Sequence, residues 1–149
     1  PTLQNELAQA YLQWGQSIVS SSDSDPALLS NALDKFLLGV AIPAEESAVY
    51  ASLQWEQKGV QNYLQGLLDM QELQKLRDDE AAIQVQQETA GRILERFGEA
   101  YAEHPNLPGL QTSYISALNM AAQVAEKRGE YRGRARGSQN LLGKGYRVV

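Results

Sequence analysis

Residues 25–43 read DPALLSNALDKFLLGVAIP, and this stretch decides the fold class. Asp25-Pro26 is a helix start: an acid in the capping position, then a proline in the first turn, where its missing N–H costs nothing. Leu28, Leu29, Ala32, Phe36, Leu37 and Val40 follow at three- and four-residue steps, which is one face of a helix. Pro43 ends it. The same period runs on both sides. Upstream, Leu3, Leu7, Ala10, Tyr11, Trp14 and Ile18 form a stripe, and Ser20 to Asp25 reads as a polar loop. Downstream, a long stripe begins near Glu45 and carries Val49, Tyr50, Leu53, Val60, Tyr63, Leu64, Leu67 and Leu68. The acids Asp78-Asp79-Glu80 suit the positive end of a helix dipole, so a turn is expected near Arg77–Asp79.

A fourth stripe, Ile83, Ala90, Ile93, Leu94, Phe97, Ala100 and Tyr101, ends at His104-Pro105. After Asn106-Leu107-Pro108-Gly109, the residues Tyr114, Leu118, Ala121, Ala122 and Ala125 mark a fifth helix. Gly129 is expected to break it, with a weaker sixth helix over Glu130 to about Leu142, where Gly133 and Gly137 oppose helix. No alternating β-branched run demands a sheet. The expectation is an all-α chain of three helix pairs: 2–20 with 26–42, 44–76 with 79–103, and 110–128 with 130–142. They form one domain, 1–142, with a basic tail at 143–149.

Composition narrows the available functions. At 43% hydrophobic and 21% charged, 149 residues can bury a core. No apolar run approaches the ~20 residues a bilayer requires. The chain opens on Pro1 with no visible leader; a cytoplasmic protein is expected, with room for a removed targeting segment. There is no cysteine, hence no disulfide, thiolate nucleophile or zinc–thiolate site. The single histidine, His104, excludes a histidine-pair metal site. Charge is uneven: residues 1–126 carry six Lys/Arg against seventeen Asp/Glu, and Lys127 onward seven against one. An acidic body with a basic end is expected.

The pairs share a pattern. Ala32-x-x-x-Phe36 is followed by Gly39 three residues on and Pro43 seven on; Phe97 is followed by Ala100 and Pro105. This resembles the second helix of the tetratricopeptide repeat. The third pair is similar to that family's first helix and turn through Leu118, Ala121-Ala122, Ala125, Gly129 and Tyr131. There are departures: Ile93 takes the Ala position, Arg134 stands where the third repeat has Ala, and Phe36 to Phe97 spans 61 residues against a repeat of ~34. The middle pair is therefore elongated or carries an insertion. The resemblance implies helix pairs stacked in a right-handed superhelix; the alternative is a plain six-helix bundle.

Candidate chemistry is sparse. His104 at a helix end suits the last carbonyls and the dipole. Glu88, Glu95, Glu99 and Glu103 can line one face, but without the Glu-x-x-His pairs of di-iron bundles they read as a solvated surface. Ser20-Ser21-Ser22 lacks any nucleophile-elbow context. Gly143-Lys144-Gly145 lacks the first glycine and the hydroxyl residue of a phosphate loop. The stretch Tyr131-Arg132-Gly133-Arg134-Ala135-Arg136 suits phosphate or stacked bases, or equally the chain's own acidic body. Trp55 lies off its helix stripe in a polar context.

No enzyme and no cofactor or metal is expected. The resemblance implies a protein–protein interaction module whose groove receives a peptide or helix of another protein. It maps Gln13 and Gln16 in the first pair, and Asn119, Gln123, Glu126 and Lys127 in the third, onto groove-facing positions. Arg132, Arg134 and Arg136 complete the candidate partner-binding set. The alternatives are an oligomerising helical-bundle subunit and a nucleic-acid adaptor acting through the basic end.

Overall fold

Asp25 and Asp79 both cap helices as their positions demand. Asp25 Oδ1 accepts the Ala27 N–H at 3.0 Å, and Asp79 Oδ1 accepts the Ala81 N–H at 3.1 Å. The computed structural model describes residues 2–43 and 47–143, with side chains over 3–43 and 48–134. The expected helix start near Glu45 and the expected tail beyond Gly143 lie outside the described residues. Among the described residues the chain is all-helical: α1 (Thr2–Ser22), α2 (Pro26–Val40), α3 (Ser47–Leu76), α4 (Ile83–Glu103) and α5 (Leu110–Gly143), with a 3-10 turn at Glu80–Ala82 before α4.

Each helix packs against the next in chain order, and α1 also touches α3 as α3 touches α5. The elongation expected in the middle pair is carried by α3, whose 30 residues span about 45 Å. One joint recurs. Phe36 of α2 lies against Gly15 of α1, where a Cβ would stand 2.4 Å from the ring. Phe97 of α4 lies against Gly66 of α3, again with 2.4 Å to the ring. Both rings are fully buried, flanked by Ala32 and Gly39 in one case and Ile93 and Ala100 in the other. A missing side chain on one helix thus becomes the socket for an aromatic on its neighbour.

Two expectations are corrected. Ser20-Ser21-Ser22 is the last turn of α1 rather than loop: Ser20 Oγ donates to the Gln16 carbonyl at 2.9 Å and Ser22 Oγ to the Val19 carbonyl at 2.8 Å. The turn itself is Asp23–Ser24, with Asp23 at φ 47°.

The second correction is larger. The fifth and sixth expected helices are one, α5, 34 residues long. Gly129 makes no turn, so the third helix pair and the six-helix bundle do not form among the described residues. The reason is energetic. A glycine inside a helix costs only about 1 kcal/mol against alanine, and 110–143 contains no proline to enforce a stop. Exposed contacts lie on both sides of the glycine. Lys127 Nζ donates to the Arg77 carbonyl at 2.7 Å, and Arg134 pairs with Glu80 at 3.6 Å.

Tyr63 of α3 joins the two ends of the stack. Its hydroxyl reaches the Pro108 carbonyl at 2.9 Å and the Asp23 carbonyl at 3.3 Å. The α1–α2 and α4–α5 turns therefore meet at one phenol. Gly109 permits the approach: at φ 78° it faces Asp23, whose Oδ1 would lie 2.6 Å from an added Cβ. Burial pushes the Tyr63 phenol up to about 12; the Asp23 charge adds to the rise and a hydrogen bond with Ser113 opposes it.

Candidate functional site: two clefts between alternate helices

Because α3 and α5 both lean on α4 and touch each other only lightly, a valley opens between them. It holds a cavity of about 350 Å3. Met70, Leu73 and Gln74 line it from α3 and Arg77 from the turn that follows; Asn119, Met120, Gln123, Val124 and Lys127 from α5; Gln86 from α4. Apolar groups and amides alternate, with two cations and no carboxylate among the lining residues.

Gln86 is the most constrained of these groups, at 1% exposure. Its Nε2 donates to the Leu76 carbonyl at 2.6 Å and the Asp79 carbonyl at 2.9 Å. Leu76 ends α3; its carbonyl also accepts the Asp79 N–H at 3.1 Å, so the amide adds a second donor to an acceptor already engaged by the turn. Two carbonyl acceptors on one side fix which amide atom is nitrogen. Gln86 Oε1 then has no hydrogen-bond partner among the described residues.

A second cavity, of about 330 Å3, sits where α1, α3 and the turn after α4 converge. Gln16, Trp55, Glu56, Glu103 and His104 line it. His104 Nε2 donates to the Trp55 carbonyl at 2.9 Å, and the two rings stack with centroids 3.3 Å apart. Gly59 makes the room: a Cβ there would stand 2.2 Å from the imidazole. His104 therefore reaches across to α3 rather than folding back on the last carbonyls of its own helix. Trp55 remains 45% exposed with one face covered by His104. Glu56 is buried, and Gln16 Nε2 donates to its Oε1 at a long 3.4 Å. Glu103 pairs with Lys58 at 3.6 Å.

The structure divides the expected binding residues. Asn119, Gln123 and Lys127 come together in the α3–α5 cavity, and Gln16 lines the second one. Gln13 and Glu126 are exposed and line neither. Arg132 is exposed; Arg134 lies over the Tyr131 ring at 4.8 Å besides pairing with Glu80. Arg136 is in α5, and its side chain lies outside the described residues.

Gln86, Met70 and Met120 were not among the expected site residues. Gln86 reads as one more polar position on a helix surface, and only the turn that brings α4 under Leu76 buries it.

Among the described residues no three His, Asp or Glu side chains cluster to hold a metal ion, and no helix is long and apolar enough to cross a membrane. No family model, curated protein or solved structure matches this chain.

Proposed function

We propose that this chain is a non-catalytic docking module, a tetratricopeptide-like stack whose α3–α5 cleft receives a peptide or helix of another protein. The observation that carries the reading is the cleft itself. Three residues that the repeat resemblance maps to groove-facing positions, Asn119, Gln123 and Lys127, line a single cavity. Its mixture of apolar wall and convergent amides suits recognition of a peptide better than proton transfer. The recurring Phe-in-Gly joint supports the same reading, because alternate helices held at a regular spacing leave a valley between them.

The test is affinity capture with the full chain, compared with Asn119→Arg and Gln123→Arg. These positions are exposed on α5, so both variants keep the fold, checked by circular dichroism. A partner retained by the parent chain and lost by both variants supports the cleft. Undiminished capture by both variants overturns it. Exchanging Gln13 for Arg leaves capture intact, since Gln13 faces neither cavity.

One observation favours a second reading, self-association. Leu3, Leu7 and Trp14 recur along one face of α1, 77%, 48% and 53% exposed; the Lys35 ammonium of α2 lies over the Trp14 ring at 4.1 Å and leaves the rest of the stripe open. Sedimentation equilibrium decides it: a monomer across the micromolar range removes this reading. The basic end is a weaker basis for nucleic-acid binding, since Arg134 is already engaged by Glu80 and Tyr131.

A further inference from the structure

We infer that the α3–α5 cavity is built for an aromatic anchor that brings its own ring donor, a tryptophan set in an acidic segment of the partner, whose indole N–H is donated to Gln86 Oε1. This rests on the docking reading of the same cleft and specifies what docks.

Three features select that occupant. The first is the hydrogen-bond balance. Gln86 is locked by two carbonyls on its nitrogen side, which leaves its oxygen with no donor among the described residues. An unpaired buried acceptor is unfavourable, so a group that supplies an N–H gains more there than an apolar group of the same shape. A buried tryptophan needs one acceptor for its one donor.

The second is shape and softness. A dry cavity of roughly 150 Å3 holds a benzene ring. This one, at about 350 Å3, has room for a bicyclic ring. Its wall includes Met70 and Met120, the chain's only two methionines. Thioether side chains make favourable sulfur–aromatic contacts and adjust their shape. Adjustment is required, because Gln86 Oε1 has less than 1 Å2 of open surface before anything docks.

The third is charge. Arg77 and Lys127 stand in the lining, and no carboxylate is among the described lining residues. Lys127 spends one donor on the Arg77 carbonyl and keeps two. Acidic residues beside the anchor meet both cations.

The probe is the blocked peptide Asp-Glu-Trp-Glu-Asp, with three companions in which 1-methyltryptophan, phenylalanine or leucine replaces tryptophan. The full chain is labelled at the methionine methyls, which gives two signals, both from the cavity wall. Titration with the tryptophan peptide is expected to move both signals by ring current. Its affinity should be at least tenfold above that of the 1-methyltryptophan peptide, which keeps the ring and lacks only the donor. Because the comparison is made on the ligand, no variant has to fold.

Equal affinity for the tryptophan and 1-methyltryptophan peptides overturns the inference. Binding of the leucine peptide as tightly as the tryptophan one overturns the aromatic anchor and leaves the docking cleft standing. Silence from all four peptides also overturns the anchor, and the capture experiment above then judges the cleft alone.

Discussion

Substituting alanine at Gly66 and at Gly129 separates two roles that one residue type plays in this chain. Gly66 faces the Phe97 ring, with an added Cβ at 2.4, 2.6 and 3.1 Å from Cε1, Cδ1 and Cζ. Gly129 faces nothing within 4 Å. Alanine gains about 1 kcal/mol of helix propensity at either site. At Gly66 the methyl also drives into a rigid, fully buried ring, and overpacking of that kind costs about 1–3 kcal/mol. The propensity gain is common to both variants and cancels in their difference. Gly129→Ala is therefore expected to stabilise by about 1 kcal/mol. Gly66→Ala is expected to fall below it by about 1–3 kcal/mol. For a chain of this size each kcal/mol moves Tm by roughly 2–4 °C. Urea and thermal unfolding followed by circular dichroism at 222 nm read both quantities. Gly66→Ala as stable as Gly129→Ala would refute the socket. A destabilising Gly129→Ala would refute the continuous α5, because alanine costs energy where a turn needs a left-handed backbone.

Tyr63 predicts an alkaline weakness. Its phenol is pushed up to about 12 in the fold against an ordinary value near 10. The unfolded chain then ionises first, so stability from this group is intact below pH 10 and lost as pH rises through 12. The loss is roughly 2–3 kcal/mol, read as a falling urea midpoint that Tyr63→Phe flattens; an unchanged slope contradicts it. His104→Ala in a Trp14→Phe background should shift Trp55 emission to longer wavelength as the stacked face is freed. It should also destabilise by about 1–3 kcal/mol through the lost bond to the Trp55 carbonyl; unchanged emission argues against the stack. Arg134→Ala should cost under about 0.5 kcal/mol, since its pair with Glu80 is exposed, and a larger loss in the same melts would mean that α5 depends on that contact.

The helix faces were legible because burial follows the 3.6-residue period. Leu29, Ala32 and Phe36 are buried along α2, as are Ile93, Phe97 and Ala100 along α4. The aromatic-small-proline endings were legible too. Their partners were not. Gly15 precedes Phe36 by 21 residues and Gly66 precedes Phe97 by 31, so a comparison at one fixed period cannot align the sockets. Gly129 misled because propensity marks only a local cost of about 1 kcal/mol, and 110–143 holds no proline to turn that cost into a stop. In the cleft, Asn119, Gln123 and Lys127 were expected only through the repeat resemblance, which mapped them to groove-facing positions, and they line one cavity. Gln86 depends on a turn geometry that no spacing encodes.

The meeting of Asp23, Tyr63 and Gly109 has a consequence for how the molecule comes apart. In a stack where each helix touches chiefly the next, either end can peel away while the middle stays folded. Here one hydroxyl spans carbonyls at residues 23 and 108. Lifting α1 with α2 breaks the contact with residue 23 and swinging α5 away breaks the contact with residue 108, and either motion uncovers the one buried hydroxyl that both turns share. The two ends therefore share one opening event. In native-state hydrogen exchange, amides of α1 and of the first turns of α5 should exchange with a common free energy instead of fraying independently.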